Sequence, residues 1–268
     1  MNFLPGAPPD RIYEGDSLSL LVEFSNKGAV NIEEGRLYIS GYDREYVHLS
    51  PLAPTGLPSF RAEGKSYYNP EGSLSATAEY YDPRVSMPED TDVFDQTFKV
   101  TGCYRYRTEA AATVCLDPDP FNIRPEDKVC ITRDTTVGPT GAPVAVTYVQ
   151  QTSTRDRIQF RIGMQNVGGG LVLSSERGYV PLDQCHTELG RDQINKVEIS
   201  AFLSGEALTC QPDQVRLVNG QGSAFCFINK RVDEAYQTVL NIYLSYGYRD
   251  SISRQVQILR LPGSDGMY

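Results

Sequence analysis

The chain has 268 residues, 40% hydrophobic and 22% charged, with 23 Gly and 17 Pro, which is ordinary globular composition at the length of about two average domains. No stretch approaches the roughly 18 consecutive apolar residues of a membrane helix. A net charge of −9, with 34 acids against 25 bases, argues against nucleic acid as a partner, because phosphate binding rests on clustered Lys and Arg.

The opening Met1-Asn2-Phe3-Leu4-Pro5-Gly6 has neither the charged nor the apolar region of a secretory leader, so the sequence is expected to be a mature ectodomain cut from a longer chain. The run Pro5-Gly6-Ala7-Pro8-Pro9 is a candidate extended arm for exchange between subunits. Leu18, Leu20, Val22 and Phe24 then alternate with mainly polar neighbours and run into Asn26-Lys27-Gly28. Period two predicts a strand with one buried face, and Asn-x-Gly is expected to end it because both residues tolerate positive φ. A further strand is expected at Arg36-Leu37-Tyr38-Ile39. From Val47 to Asp95 the chain is rich in Pro, Ser, Tyr and acids, which predicts long loops around a strand near Leu74 to Tyr80. Phe98, Val100, Tyr104, Tyr106, Val114 and Leu116 predict a closing hairpin. Asp117-Pro118-Asp119-Pro120 and Gly138-Pro139-Thr140-Gly141-Ala142-Pro143 are linker-like, since Pro cannot continue a ladder. They set a boundary near residue 138 and units of 1–137 and 138–268.

The second unit opens as the first does. Ile158, Phe160, Ile162 and Met164 lead into Asn166-Val167-Gly168, each shifted by 140 from its counterpart. After a strand expected at Val197 to Leu203, the residues Leu240, Ile242, Tyr246, Tyr248, Arg249, Val256 and Ile258 match Phe98, Val100, Tyr104, Tyr106, Arg107, Val114 and Leu116 at a shift of 142. Two nearly equal offsets at opposite ends of each unit imply a duplicated domain. Short strands separated by turn signals make the expected fold all-β, with two antiparallel β-sandwich domains in tandem.

The segment from Pro143-Val144-x-Val146 through Phe160-x-Ile162 to Asn166-Val167-Gly168-Gly169-Gly170 resembles the CARDB group of immunoglobulin-like domains of bacterial and archaeal surface proteins. Val22-x-Phe24-x-Asn26-Lys27-Gly28-Ala29 resembles a second copy. The resemblance covers the first third of each unit and implies immunoglobulin-like sandwiches that serve as adhesive, spacer or assembly modules without an activity of their own.

Six cysteines without C-x-x-C, beside only two histidines, His48 and His186, read as disulfides rather than a zinc site, and disulfides place the chain outside the cell or in its envelope. Six allow 15 connectivities. If the expected hairpin turns at Glu109, Cys103 and Cys115 face each other on its outer side. Cys210 and Cys226 flank Pro212 and Asn219-Gly220 in a strand-turn-strand pattern, which leaves Cys130 for Cys185. A rival set joins Cys115 to Cys130 and leaves Cys103 and Cys185 paired with each other or free. All ten Asn residues fail the N-x-S/T rule.

Catalytic patterns are sparse. Gly220-x-Gly222-x-x-Phe225 lacks the third glycine of a dinucleotide loop, Gly168-Gly169-Gly170 reads as a flexible turn, and His186 beside Cys185 fits a half-cystine better than a nucleophile. No enzyme activity and no cofactor are expected; Glu89, Asp90, Asp92 and Asp95 are a candidate Ca²⁺ loop without a known ligand spacing. Tyr104, Tyr106, Tyr246 and Tyr248 recur in both units and are expected inward, as part of the fold. Tyr67, Tyr68, Tyr80 and Tyr81 are the candidate ligand or partner surface, whose amphipathic rings suit glycans or a protein interface. The sequence therefore predicts a non-enzymatic structural or adhesion protein that docks to copies of itself or to another envelope protein. A carbohydrate-binding or accessory module is the alternative.

Overall fold

The computed structural model describes residues 1–51, 59–70, 72, 74–119, 121, 128–154 and 156–261. The fold is all-β and, but for one short parallel pair, antiparallel, a sandwich whose only described helical turn is a 3₁₀ turn at Arg191–Gln193. The strands up to residue 137 are β1 (Asn2–Phe3), β2 (Arg11–Tyr13), β3 (Leu18–Ser25), β4 (Ile32–Ser40), β5 (Ser50–Pro51), β6 (Ser59–Ala62), β7 (Leu74–Asp82), β8 (Val93–Leu116) and β9 (Thr135–Thr136). Those after it are β10 (Val144–Thr154), β11 (Arg157–Asn166), β12 (Leu171–Leu173), β13 (Lys196–Leu203), β14 (Glu206–Ala207), β15 (Thr209–Gln211), β16 (Gln214–Arg216), β17 (Gln221–Ile228) and β18 (Tyr236–Leu259).

The two expected hairpins are not hairpins. Residues 93–116 and 236–259 are each one continuous strand of 24 residues, and the two pair antiparallel along their whole length, from Val93↔Leu259 to Leu116↔Tyr236. The physical reason is legible in β8: Arg105 to Thr113 contains no Gly, Pro, Asn or Asp to make a turn. Alternation simply continues, with Tyr106, Thr108, Ala110, Ala112 and Val114 all buried on one face. At about 3.3 Å per residue this ladder is about 80 Å long.

Tyr104 stands opposite Tyr248, and Tyr106 opposite Tyr246. Residues equivalent by the duplication therefore exchange under a half-turn about the Arg105↔Gly247 pair. Around this local dyad the central sheet runs β14-β13-β18-β8-β4-β6, with β2, β12 and β16 attached at its margins. A boundary near residue 138 thus divides the sequence but not the sheet, to which both halves contribute. Two smaller sheets cover it, β1-β3-β7-β5 from the first half and β15-β17-β11-β10 from the second, the latter extended by β9 of the first half. Leu18, Leu20 and Tyr80 pack on Phe98, Val256 and Ile258 at one end of the ladder. Ile158, Phe160, Ile162 and Met164 share a core with Val114, Leu240, Ile242 and Leu244 toward the other.

The expected strands at Leu18 to Phe24, Arg36 to Ile39, Leu74 to Tyr80, Ile158 to Met164 and Val197 to Leu203 are all present. The start of the chain is docked rather than free: β1 pairs with β3, the Leu4 N–H donates to Leu21 O at 2.9 Å, and β2 lies parallel to the end of β18.

Of the expected disulfides only Cys210–Cys226 forms, between directly opposed residues of β15 and β17. Cys103 and Cys115 cannot meet, because on one continuous strand they stand about 40 Å apart. The rival set is the one observed, Cys103–Cys185 and Cys115–Cys130, so Cys130 and Cys185 are not joined.

Candidate functional site

The duplicated Asn-x-Gly segments do not take positive φ; at neither Asn26, Gly28, Asn166 nor Gly168 is the backbone left-handed. Their chemistry is a lock against a tyrosine. The Asn26 side-chain amide donates to Val30 O at 2.7 Å, and the Tyr106 hydroxyl accepts from Val30 N–H at 3.4 Å. In the second half the Asn166 amide donates to Gly170 O at 2.9 Å, and the Tyr248 hydroxyl accepts from Gly170 N–H at 2.8 Å while donating to Asn166 Oδ1. Glycine is required because a Cβ at residue 28 would lie 1.9 Å from the Tyr106 hydroxyl, and one at residue 168 would lie 2.2 Å from that of Tyr248. Gly168 and Gly170 are accordingly tight contacts, while Gly169 between them faces open space.

Tyr104, Tyr106, Tyr246 and Tyr248 form a closed square of rings across the dyad, with neighbouring centroids 5.7 to 6.4 Å apart. Burial raises all four phenol pKa values, that of Tyr104 well above its ordinary value. The Tyr246 hydroxyl is fully engaged: it accepts from Val144 N–H at 3.1 Å and meets Thr108 Oγ1 at 2.9 Å, and Thr108 donates to Val144 O at 2.6 Å. The hydroxyl of Tyr104, its duplicate, has no hydrogen bond among the described residues.

Tyr104 opens instead onto a cavity of about 490 Å³ where the two halves meet, a size and place typical of ligand sites. Phe24, Phe60, Tyr106 and Tyr248 supply apolar wall; Asn26, Asp250 and Thr140 supply polar groups. Thr140 Oγ1 is buried and has no hydrogen-bond partner among the described residues.

On the opposite face of the central sheet, residues 174–190 are clamped over β8. Cys185 is bonded to Cys103. The Arg105 guanidinium donates to Ser174 O and Val180 O and lies 4.2 Å over the Tyr179 ring. Arg249 donates to Cys185 O and Thr187 O, at 2.9 and 3.1 Å. Tyr38 donates to Leu182 O at 2.6 Å and stacks on His186 at 4.0 Å. Arg105 carries no repeat signal in the sequence, since its duplicate is Gly247.

Of the tyrosines expected to form a surface, Tyr67 and Tyr68 are 94% exposed and meet edge to face at 5.4 Å. Their loop is hydrogen-bonded through Lys65 N–H to Gly28 O at 2.7 Å, one residue beyond the cavity-lining Lys27. Tyr80 does not join them: it points inward from β7 and is 2% exposed, because strand alternation rather than loop composition governs residues 74–82. Tyr81 is half-buried beside it. Asn219-Gly220 is a two-residue hairpin turn with both φ positive, between the mutual hydrogen bonds of Val218 and Gln221. Among the described residues, which include Glu89, Asp90, Asp92 and Asp95, no three His, Cys, Asp or Glu converge as metal ligands. Among the same residues no helix is long and apolar enough to cross a membrane.

No protein-family model matches the sequence, and no curated protein is significantly similar to it. Three disulfides indicate an oxidising, extracellular environment.

Proposed function

We propose that the protein is a non-enzymatic structural or adhesion element of the cell exterior or envelope, which holds surfaces at a fixed spacing and docks to copies of itself or to another envelope protein. In this reading each half is one immunoglobulin-like unit of the CARDB type. The observation that supports it most is the uninterrupted pairing of β8 with β18, which joins the halves without a hinge over about 80 Å. Cys103–Cys185 adds a covalent tie between the halves. Light scattering coupled to size exclusion over a wide concentration range tests the self-docking arm. Mass growth with concentration is expected, and a monomer of 29.8 kDa throughout leaves docking to another protein. The exposed Tyr67–Tyr68 pair favours one second reading, glycan binding. A glycan-array signal abolished by Tyr68→Ala would support it.

A further inference from the structure

We propose that the outer face of the sheet β15-β17-β11-β10 is a binding site for an acidic glycan, a chain of sugars bearing carboxylate or sulfate groups, with Arg161 as its anchor. The site lies apart from the Tyr67–Tyr68 loop, and it adds a ligand to the adhesion role without resting on self-docking.

The charge of this sheet runs against that of the chain. In a protein of net charge −9, strands β9, β10, β11, β15 and β17 carry Arg157 and Arg161 and no other charged side chain. Neither arginine has an ion pair among the described residues; each lies beside aromatic rings instead. The Arg157 guanidinium sits 3.7 Å over Phe227, and that of Arg161 is 5.9 Å from the ring centres of both Tyr148 and Phe225. A guanidinium held against a ring face keeps its N–H edge free, and that edge grips a carboxylate or a sulfate with two parallel bonds. The two arginines stand four residues apart on one strand, about 13 Å, so an acid group that recurs along a polymer can meet both.

Beside Arg161 the face is hollowed. Thr147, Tyr148, Gln165, Gln221 and Ser223 join it around a depression of about 400 Å³, within the size range of ligand sites. A bulge between Val146 and Tyr148 shapes one rim. Glycine at residue 163 lets the Tyr148 ring lie against the strand, since a Cβ there would fall 2.2 Å from it. None of the polar side chains around the hollow makes a hydrogen bond among the described residues. Uncharged hydroxyl and amide groups beside an aromatic ring match the hydroxyls and the apolar face of a sugar, and the guanidinium matches its acid group. A polypeptide is the poorer occupant. β11 lies between β10 and β17, so its main chain is already paired and cannot extend the ladder to an incoming strand. What the face presents is side chains, among them Phe225, which is 44% exposed.

The test uses the full chain and fluorescence anisotropy in a low-salt buffer. The probes are a labelled oligogalacturonate and a labelled sulfated galactan oligosaccharide, each set beside its uncharged counterpart, the methyl ester or the desulfated sugar. Saturable binding of an acidic probe is expected, about tenfold or more tighter than that of its uncharged counterpart and weakening as salt is added. Which acidic probe binds tighter distinguishes carboxylate from sulfate. Arg161→Gln is expected to remove the preference for the acidic form, and Gln221→Ala to weaken the acidic and uncharged forms alike. Both residues are exposed, so both variants should keep the melting temperature of the parent chain. Absence of saturable binding of either acidic probe up to about 1 mM overturns the proposal. An acidic preference that Arg161→Gln leaves intact also overturns it, as does binding that Tyr68→Ala abolishes and Arg161→Gln spares, which moves the glycan to the loop. An oligoglutamate that binds as tightly as the acidic sugars and is released by Arg161→Gln makes the occupant an acidic polypeptide and overturns the glycan assignment. None of these readouts depends on assembly, so the docking role stands or falls separately by light scattering.

Discussion

A methyl group added at Gly28 or Gly168 falls on the hydroxyl of Tyr106 or Tyr248, so each glycine is set by the tyrosine it faces and not by its own backbone. Gly168→Ala is expected to cost about 1–3 kcal/mol, as overpacking does, and Tyr248→Phe in the same chain should recover part of that loss; urea denaturation of the two variants checks both. The Asn-x-Gly pattern was legible in the sequence as a duplicated strand end. Its reason was not, because the partner tyrosines lie about 80 residues further on and meet it only through the third dimension. Glu198 offers a pH-dependent reading. Burial first, and then repulsion from Glu176, raise its carboxyl pKa above the ordinary 4.5, so the folded chain holds that proton more tightly than the unfolded one. Its contribution is fully present at pH below 4.5 and is lost as pH rises through the raised value. Glu198→Gln should therefore raise the melting temperature at pH 7 and leave it nearly unchanged at about pH 3.5. The buried phenols act in the same direction in alkali. Native-state absorbance titration should leave the four-ring cluster silent at pH 10, the ordinary phenol value.

Among the elements, the second-half closing segment misled for a definite reason. Asp250, Ser251 and Ser253 are residues that turns favour, yet Tyr248, Ile252, Val256 and Ile258 keep to one face and carry the strand through them. Short strands are legible from alternation alone. A 24-residue strand is not, since its length is stabilised by a partner half a chain away. The disulfides followed from that error, because opposed positions on a hairpin become distant positions on a strand. Replacing Cys103 and Cys185 with Ser should have the larger effect on stability: closing 82 residues is worth about 4.5 kcal/mol as an upper estimate in the chain-entropy model, against about 3 kcal/mol for Cys115–Cys130. Hydrogen exchange should then rise across residues 174–190, which keep the hydrogen bonds of Arg105 in β8, of Arg249 and Ser245 in β18, and of Tyr38 in β4.

At the scale of the molecule, the halves share a sheet and so share stability. Calorimetry should show one cooperative transition, and residues 1–137 or 138–268 expressed alone should fail to give it, since each would leave a 24-residue strand without its partner. Duplication is visible in the two sequence offsets, but the dyad is not, because an offset records equivalence and is silent about which copies pair. The same strand pair also governs how the chain comes into being. As the protein is synthesised, β8 emerges early and finds only β4, which covers Lys99 to Tyr104. Its other edge, which β18 covers along its whole length, waits until nearly the whole second half has left the ribosome, about ten seconds or more at the usual elongation rate. During that interval Tyr106, Val114 and Leu116 stand on an unpaired, alternating apolar edge of the kind that aggregates. Aggregation before residues 236–259 emerge is therefore the expected weak point, and the burden falls on the nascent chain rather than on the finished protein.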